Sequence, residues 1–138
     1  MSMKTVDIPT NLLERLKAFR MGKRSVGAAA LVVKIDKKTL RMEIEEEFEG
    51  IALDELQEEL PENSPRFVVM SYELEHRDGR KSYPLVIIYW APPTSSMELA
   101  TLYASAMSHF STASDIAKVL DVREGVLEKK SIDARLGA

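Results

Sequence analysis

Hydrophobic positions along the first half of the chain predict a helix, a hairpin and a second helix. The apolar residues of the first segment, which follows Ile8-Pro9-Thr10, have helical spacing and are Leu12, Leu13, Leu16 and Phe19. Residues 29–35 and 40–48 predict an antiparallel hairpin with one solvent-exposed face and its turn at residues 36–39. A short acidic helix over residues 53–60 is expected to bury Leu53, Leu56 and Leu60 against the sheet.

The strongest local signal is a second hairpin around Asp78-Gly79. Residues 67–76 and 81–91 flank this pair, which favours the positive φ angles of a tight turn. Both faces of the two strands are apolar near their middles, so the pair is expected at the centre of a sheet with layers on both sides. Pro84 cannot donate a backbone hydrogen bond and is expected at a strand start or a bulge.

The last third predicts a long helix, a strand and a final helix. Ser95 and Glu98 have the spacing of a capping box, which predicts a helix that begins directly after Ser95 and ends at about Phe110. Its inward positions are Leu99, Leu102, Tyr103, Ala106 and Phe110. Residues 118–122 then predict a parallel strand reached by a right-handed crossover. The closing helix is expected to contain Val126, Leu127, Ile132 and Leu136.

Length and composition narrow the class of protein. The 138 residues, 45% of them hydrophobic, predict one domain over 1–138 that folds without the support of disulfide bonds or bound metal ions. The absence of cysteine excludes disulfides, thiolate nucleophiles and cysteine-bound metals. No apolar run is long enough to span a bilayer and no signal-peptide pattern is present, so a soluble intracellular protein is expected.

Charge is distributed unevenly along the chain. The net charge of −3 argues against a basic nucleic-acid binder. Residues 15–41 nevertheless contain nine basic residues and one acidic residue, whereas residues 43–62 contain ten acidic residues and no basic one. These basic and acidic blocks would orient the protein on a charged partner if they face one.

Catalytic patterns are absent or incomplete. Gly22 and Gly27 have phosphate-loop spacing, but Ala28 stands at the lysine position. His76-Arg77-Asp78 has the sequence that begins a kinase catalytic loop, but these residues lie at a predicted hairpin turn. The glutamates of residues 43–49 are typical of a solvated strand edge. We expect no enzyme, cofactor or metal; an acid–base enzyme using His76 or His109 is a remote alternative.

Two surfaces are candidates for binding another protein. Residues 99–114 carry no charge, and the positions expected to face outward are Ala100, Thr101, Ala104, Ser105 and Ser108, with Met107 at the border. Such a face suits an interface, although a second buried face or an ordinary exposed surface without a partner fits the same pattern. The second candidate is the charged turn at residues 77–81. Basic residues that could contact an acidic partner are Lys17, Arg20, Lys23 and Arg24.

Two blocks resemble the glia maturation factor branch of the ADF/cofilin homology family. They are PRFVVMSYELEHRDGRKSYPLVIIYWAP and MELATLYASAMSHFSTASDIAKVLDVRE, and the likeness extends forward through LLERLKAFR, LVVKIDKKT and EGIALDELQEELPENSPRF. The resemblance implies an α/β (α+β) fold, the ADF-homology fold, with a central mixed β-sheet sandwiched between helices. It also implies a cytoplasmic, cytoskeletal protein that acts by binding.

The resemblance further implies a partner and its contact residues. Members bind the actin-related protein 2/3 complex, inhibit branch nucleation and promote debranching, with weak or no actin binding; a monomer is expected. The implied primary site contains Met1, Ser2, Met3, Lys4, Ala100, Thr101, Ala104, Ser105, Met107 and Ser108. The implied second site contains Arg77, Asp78, Arg80, Asp121, Arg123, Glu124, Lys129 and Lys130.

The alternative is a cofilin-like protein that binds actin monomers and filaments and severs filaments. Cofilin-like proteins place lysines in the first turns of the long helix, where this chain has Glu98, Ala100 and Thr101. Many glia maturation factors have a lysine at the position of Met107. The absence of lysine from the first turns of the long helix disfavours cofilin-like binding to actin. Methionine at position 107 affects which part of the long helix contacts the partner.

Overall fold

A computed structural model describes residues 6–22 and 28–137 of the chain. The helices are α1 (Thr10–Met21), α2 (Leu53–Glu59), α3 (Met97–Ser114) and α4 (Lys129–Arg135). The strands are β1 (Ala28–Asp36), β2 (Arg41–Ile51), β3 (Arg66–Ser71), β4 (Leu74–Glu75), β5 (Lys81–Ser82), β6 (Leu85–Trp90) and β7 (Val119–Val122).

Five strands form a mixed sheet in the order β2-β1-β3-β6-β7. All neighbouring pairs are antiparallel except β6 and β7, which run parallel, as predicted for residues 118–122. One hydrophobic cluster joins the sheet to α1 and α3, and another joins its opposite face to α2 and α4. The predicted sheet sandwiched between helices is therefore confirmed.

The first hairpin is confirmed, but its predicted solvent-exposed face belongs to β2 alone. Residues 28–33 are buried on both faces because β1 lies between β2 and β3. β2 is an edge strand, and its side chains are mostly exposed. A shift in register between Val32 and Val33 marks a bulge opposite residues 44–46.

Both strands of the second hairpin are interrupted, one between Ser71 and Leu74 and the other at residues 83–84, which include Pro84. β3 pairs with β6 in the main sheet, whereas β4 and β5 form a separate two-stranded tip. Pro84 lies between β5 and β6, and its carbonyl accepts a hydrogen bond from the Tyr72 N–H at 3.0 Å. Gly79 has a φ of +88° at the turn. The prediction of continuous strands was wrong. Pro84 directly precedes the first residue of β6, in agreement with the expectation of a strand start or a bulge.

α3 begins one residue later and ends four residues later than predicted. Ser96, not Ser95, caps the helix, because its Oγ accepts the Leu99 N–H at 3.2 Å. The predicted capping box of Ser95 and Glu98 is therefore wrong. The helix continues to Ser114 and ends at Asp115, whose φ of +60° is left-handed.

Four aromatic rings hold α3 on the sheet. The Phe67 ring of β3 lies 5.0 Å from the Phe110 ring, 5.3 Å from the Tyr103 ring and 5.7 Å from the Tyr89 ring, measured between centroids. The Tyr103 hydroxyl accepts the Ile35 N–H at 2.8 Å. This hydrogen bond joins α3 to β1, so the helix contacts several strands and has one fixed orientation.

The closing helix is shorter than predicted. It begins at Lys129, so Val126 and Leu127 precede it; Val126 is 54% exposed, whereas Leu127 is buried. The Gln57 side-chain oxygen accepts the Leu127 N–H at 2.7 Å, which ties this segment to α2. Within the described residues, none of the helices is long and apolar enough to cross a membrane.

The first prediction concerns the ring stack under α3. Replacing Phe110 by Ala removes a fully buried ring and should lower the free energy of unfolding by about 3 to 5 kcal/mol. Urea unfolding followed by circular dichroism measures the loss. The control Thr112→Ala, at an exposed position of the same helix, should change it by less than about 0.5 kcal/mol. A loss under about 1 kcal/mol for Phe110→Ala would contradict the described packing.

The second prediction concerns Asp133, which accepts hydrogen bonds from the Tyr72 hydroxyl and from Lys129 Nζ. Burial raises the pKa of Asp133, but these hydrogen bonds outweigh burial and hold the pKa below its ordinary value. A pKa lower in the folded than in the unfolded protein stabilises the fold above the unfolded-state value of about 3.9. This stabilisation is lost as pH falls through the lower, folded-state pKa.

We therefore expect Asp133→Asn to lower the free energy of unfolding by about 1 kcal/mol at pH 7. The difference from the original protein should shrink as pH is lowered below about 4. Urea titrations between pH 2.5 and 7 measure it. Glu58→Gln, at an exposed carboxylate, is the control and should follow the original protein at every pH. A difference for Asp133→Asn that persists at the lowest pH is inconsistent with this role of the carboxylate.

Candidate protein-binding surfaces

The outward side of α3 is an uncharged surface, here called the α3 face. Thr101, Ala104, Ser105 and Ser108 are exposed, and Ala100 and Met107 are half-buried beside them. The inward residues Tyr103, Ala106 and Phe110 are buried, as predicted, while Leu99 and Leu102 are partly buried. The charge-free segment therefore meets solvent, and the alternative of a second buried face does not apply.

The start of the described chain lies beside the β1–β2 turn, and this turn contacts the start of α3. The Asp7 N–H donates to the Leu40 carbonyl at 2.7 Å, and Asp7 accepts the Met42 N–H at 2.9 Å. The intervening turn reaches α3 through Lys37 Nζ, which lies 3.1 Å from Glu98 Oε1. Met1, Ser2, Met3 and Lys4 lie outside the described residues. Asp7 lies next to the β1–β2 turn, and Lys37 of that turn contacts Glu98 at the beginning of α3.

The predicted second site separates into two groups. Arg77, Asp78 and Arg80 lie on the β4–β5 tip, which connects to β3 after Ser71 and to β6 before Leu85. Asp121, Arg123 and Glu124 lie at the other end of β6, since Val122 pairs with Trp90. These two sets are therefore separated by the length of the β6 strand.

The tip is ordered by its own charged groups. The Asp78 carboxylate accepts the Arg80 N–H at 3.1 Å and lies 2.6 Å from Arg80 Nε. The backbone N–H of Arg80 and then its guanidinium hold the pKa of Asp78 below its ordinary value. Arg77 is exposed, so its charge is available at the tip.

α4 begins on the same side of the molecule as the tip. Lys129 lines a groove together with Tyr72 and Glu73, the residues that lead into the tip, and Lys130 is exposed beside it. The Tyr72 hydroxyl donates to Asp133, which also pairs with Lys129 at 2.7 Å. These contacts place the basic start of α4 near the base of the tip.

Arg123 lies beside α3 rather than beside the tip. Its guanidinium carbon is 5.5 Å from the centroid of the Tyr89 ring, and the Tyr89 hydroxyl donates to the Ala100 carbonyl at 3.3 Å. Burial raises the pKa of Tyr89, so the phenol is neutral and remains a donor at neutral pH. Asp121 pairs with Arg123 at 3.3 Å. The Asp121 and Arg123 pair therefore flanks the α3 face.

The remaining basic residues of the predicted contact have different environments. Arg20 lies 3.1 Å from the carboxylate of Asp115 and ties the end of α1 to the end of α3. Lys17 is exposed on α1. Lys23 and Arg24 lie outside the described residues. Arg20 is thus engaged within the fold, and Lys17 is free to meet an acidic partner.

The groups that could hold a metal or act in catalysis can also be located in the described residues. No group of three or more potential metal ligands lies together in the described ranges. His76 Nε2 is 2.9 Å from Ser82 Oγ across the tip. Sequence reasoning missed one surface residue, Met97, which is 84% exposed at the first position of α3. Met97 precedes the first of the predicted inward positions, so helical periodicity did not identify it.

Comparison with known proteins identifies the family of the chain. A family model described as cofilin/tropomyosin-type actin-binding protein matches residues 5–132. Human glia maturation factor beta is 39% identical over 122 residues, which cover 88% of this chain and 85% of that protein. Glia maturation factor of Drosophila melanogaster is 38% identical over 118 residues, covering 86% and 85%.

Solved structures give the same assignment. The solution structure of glia maturation factor from Caenorhabditis elegans has a TM-score of 0.78 and 32% identity, and covers 96% of each chain. The crystal structure of Streptomyces griseoflavus cofilin has a TM-score of 0.75 at 22% identity, covers 93% of this chain and 95% of that one, and supports the fold alone. The chain belongs to the cofilin/ADF family of actin-binding proteins and to its glia maturation factor branch.

Proposed function

We propose that the protein regulates the actin cytoskeleton by binding the actin-related protein 2/3 complex, inhibiting branch nucleation and promoting debranching. Membership of the glia maturation factor branch supports an actin-cytoskeleton role. The single observation that carries the choice of surface is the exposed, uncharged α3 face. The protein acts in the cytoplasm, at cortical actin sites, as a monomer without enzymatic activity.

The α3 face has the properties of the centre of an interface. Its side chains are small, so a partner surface can approach the helix backbone closely. They carry no charge, so contact requires little desolvation. The ring stack and the Tyr103 hydrogen bond hold the helix in one position, which lowers the entropy lost on binding. Residues 1–4 extend this primary site in the proposal.

A second contact surface is formed by Arg77, Asp78 and Arg80 of the tip with Lys129 and Lys130 of α4. Asp121 and Arg123 flank the α3 face and, with Glu124 next to them in sequence, provide a polar rim for the primary contact in this proposal. Lys17 adds a further basic contact. Two separated surfaces on one rigid sheet allow the protein to touch two neighbouring subunits of a large assembly.

The mechanism requires differential affinity and no bond chemistry. The protein binds more tightly to a subunit arrangement that is incompatible with a stable branch, and thereby shifts the population toward that arrangement. A fivefold to 150-fold difference in affinity between two arrangements corresponds to about 1 to 3 kcal/mol. An interface built around one rigid helix can supply a difference of that size.

Cofilin-like filament binding and severing is the alternative function. Glu98 stands in the first turn of α3, where cofilin-like proteins have lysine, and Ala100 and Thr101 add no positive charge. Lys37 pairs with Glu98 but comes from a different element, the β1–β2 turn. Cosedimentation with actin filaments separates the two functions, because the proposed function predicts little pelleting of the protein with bare filaments.

The third prediction tests the α3 face. Thr101→Asp combined with Ser105→Asp places two charges in the proposed contact and should weaken binding to purified actin-related protein 2/3 complex by about 2 kcal/mol, roughly 30-fold. Titration of a fluorescently labelled complex measures the dissociation constant. Failure of the original protein to bind at micromolar concentrations would refute the proposed function.

The matched control introduces two carboxylates elsewhere. Asn63→Asp with Ala117→Asp changes two exposed residues outside both proposed surfaces and should leave binding within about twofold. Circular dichroism and urea unfolding should show that both double variants are folded. Equal affinities for the α3 variant and the control would show that α3 is not the interface.

The fourth prediction tests the second surface. Arg77→Glu with Lys130→Glu reverses two exposed charges and should slow debranching about tenfold, while the complex still binds through the α3 face. Microscopy of fluorescent branched filaments measures the loss of junctions. Lys118→Glu, an exposed reversal on neither surface, is the control. Debranching at the original rate by the double variant would remove the tip and α4 from the proposal.

A further inference from the structure

β2 forms one edge of the main sheet. It is 11 residues long, its side chains are mostly exposed, and β1 is the one strand of the described chain that lies beside it. Unpaired N–H and C=O groups along such an edge can hydrogen-bond to an extended segment of another chain. The α3 face and the second contact surface contain no residue of β2, so this edge is a separate surface.

The protein's own chain already pairs with the beginning of this edge. Asp7 forms a parallel bridge with Arg41. The Asp7 N–H donates to the Leu40 carbonyl at 2.7 Å, and its carbonyl accepts the Met42 N–H at 2.9 Å. Successive residues of a strand direct their N–H groups to alternate sides, so the Ile44 N–H points to the same side as the Met42 N–H. The edge therefore accepts an extended segment at its start and is open beyond it within the described residues.

A groove of about 890 Å³ follows the open edge. Residues 41–47 of β2 line it on one side, and Asn11 and Arg15 of α1 line it on the other. Its apolar lining comes from Leu12, Met42 and Ile44. Seven strand residues span about 23 Å, so an extended segment of similar length fits beside β2. The groove thus offers backbone groups and apolar side chains together.

The charges along the edge favour a basic occupant. The groove is lined by five carboxylates and two guanidinium groups, which belong to Asp36, Glu43, Glu45, Glu46 and Glu47 and to Arg15 and Arg41. Glu47 pairs with Arg15, and Lys34 lies 3.5 Å from Glu43 and 3.9 Å from Glu45. Glu46 and Glu49 are exposed and have no ion-pair partner among the described residues. Two carboxylates therefore remain available to a basic strand.

We propose that the edge of β2 from Ile44 to Glu49 binds a basic, extended segment of another protein by strand addition. Backbone groups of the segment pair with those of β2, and its lysine or arginine side chains lie opposite Glu46 and Glu49. Opposite charges across neighbouring strands stabilise pairing, whereas like charges destabilise it. The proposal goes beyond the proposed function, because it assigns a second partner to a surface that the first does not use.

The same glutamates select among occupants of the edge. Charged residues and bulges on edge strands prevent unwanted pairing between sheets, and β2 has both, with its bulge at residues 44–46. A second copy of β2 would bring the same glutamates to the edge and be repelled. A basic segment meets no such repulsion, and a single flexible segment can follow the bulge. The edge is thus closed to copies of itself and open to a strand of opposite charge.

A short peptide tests strand addition directly. The probe is a heptapeptide of alternating lysine and valine with blocked ends, added to the isotopically labelled full chain. NMR spectra should show saturable shifts of the Ile44 and Glu46 N–H signals. Exchange of the Ile44 N–H with solvent should slow about tenfold at saturation. A heptapeptide of alternating glutamate and valine should cause neither change. The basic probe methylated on its backbone nitrogens retains its charges but has no backbone donors, and should not bind.

Two variants test the contribution of the unpaired glutamates. Glu46→Gln combined with Glu49→Gln should weaken binding of the lysine–valine probe about fivefold. Glu58→Gln with Glu62→Gln removes two exposed carboxylates away from the edge, and this control should bind the probe within about twofold of the original protein. All four positions are exposed, so unfolding curves of both double variants should match that of the original protein.

The proposal is overturned if the lysine–valine probe causes no shifts at millimolar concentration, or if the acidic probe binds equally well. Equal binding of the methylated probe would show attraction by charge alone and would overturn strand addition. Protection of the Ile44 N–H that rises with protein concentration, without peptide, would assign the edge to a second copy and overturn the basic partner. None of these results affects the proposed function, which depends on other surfaces.

Discussion

The rings packed around Phe67 determine where α3 lies, and the proposed primary surface depends on the position of that helix. Phe67 lies in β3, the middle strand of the sheet, and contacts rings from β6 and from two turns of α3. A single contact would allow the helix to rotate about its axis. Contacts at Tyr103 and Phe110, two turns apart, together with the Tyr103 hydrogen bond to β1, fix the rotation and direct the uncharged side outward.

Pairing between the basic and acidic blocks changes the electrostatic picture that their order along the chain suggests. Arg15 pairs with Glu47, and Lys34 lies 3.5 Å from Glu43 and 3.9 Å from Glu45. Folding brings the two blocks together because β1 and β2 are antiparallel and α1 packs beside them. Surface pairs of this kind add little stability, but they reduce the charge available to steer a partner.

The sequence predicted the elements better than it predicted their ends and neighbours. The Asp78-Gly79 turn and the parallel β7 depend on local residue types and spacing, and both are confirmed. Ser95 fitted a capping box with Glu98, yet Ser96 is the cap, because Glu98 pairs with Lys37 and Ser95 belongs to the preceding turn. The Lys37 contact comes from a distant segment and leaves no local signal.

The same reasoning applies to the candidate surfaces. The uncharged stretch of α3 could be recognised by composition alone, but its exposure could not, because helices buried on two sides have the same composition. The separation of Arg77 from Arg123 depends on the direction of β6, which pairing in the sheet determines. Met97 was missed because periodicity identifies inward positions and gives no measure of how far an end residue projects.

Charges at the two ends of α3 show how an uncharged face is maintained in a chain rich in charged residues. Glu98 at the start pairs with Lys37 of the β1–β2 turn, and Asp115 at the end pairs with Arg20 of α1. Each pair draws a carboxylate toward a neighbouring element. No unpaired carboxylate at either end of α3 therefore lies beside the uncharged stripe. The same two ion pairs also attach α3 to the β1–β2 hairpin and to α1.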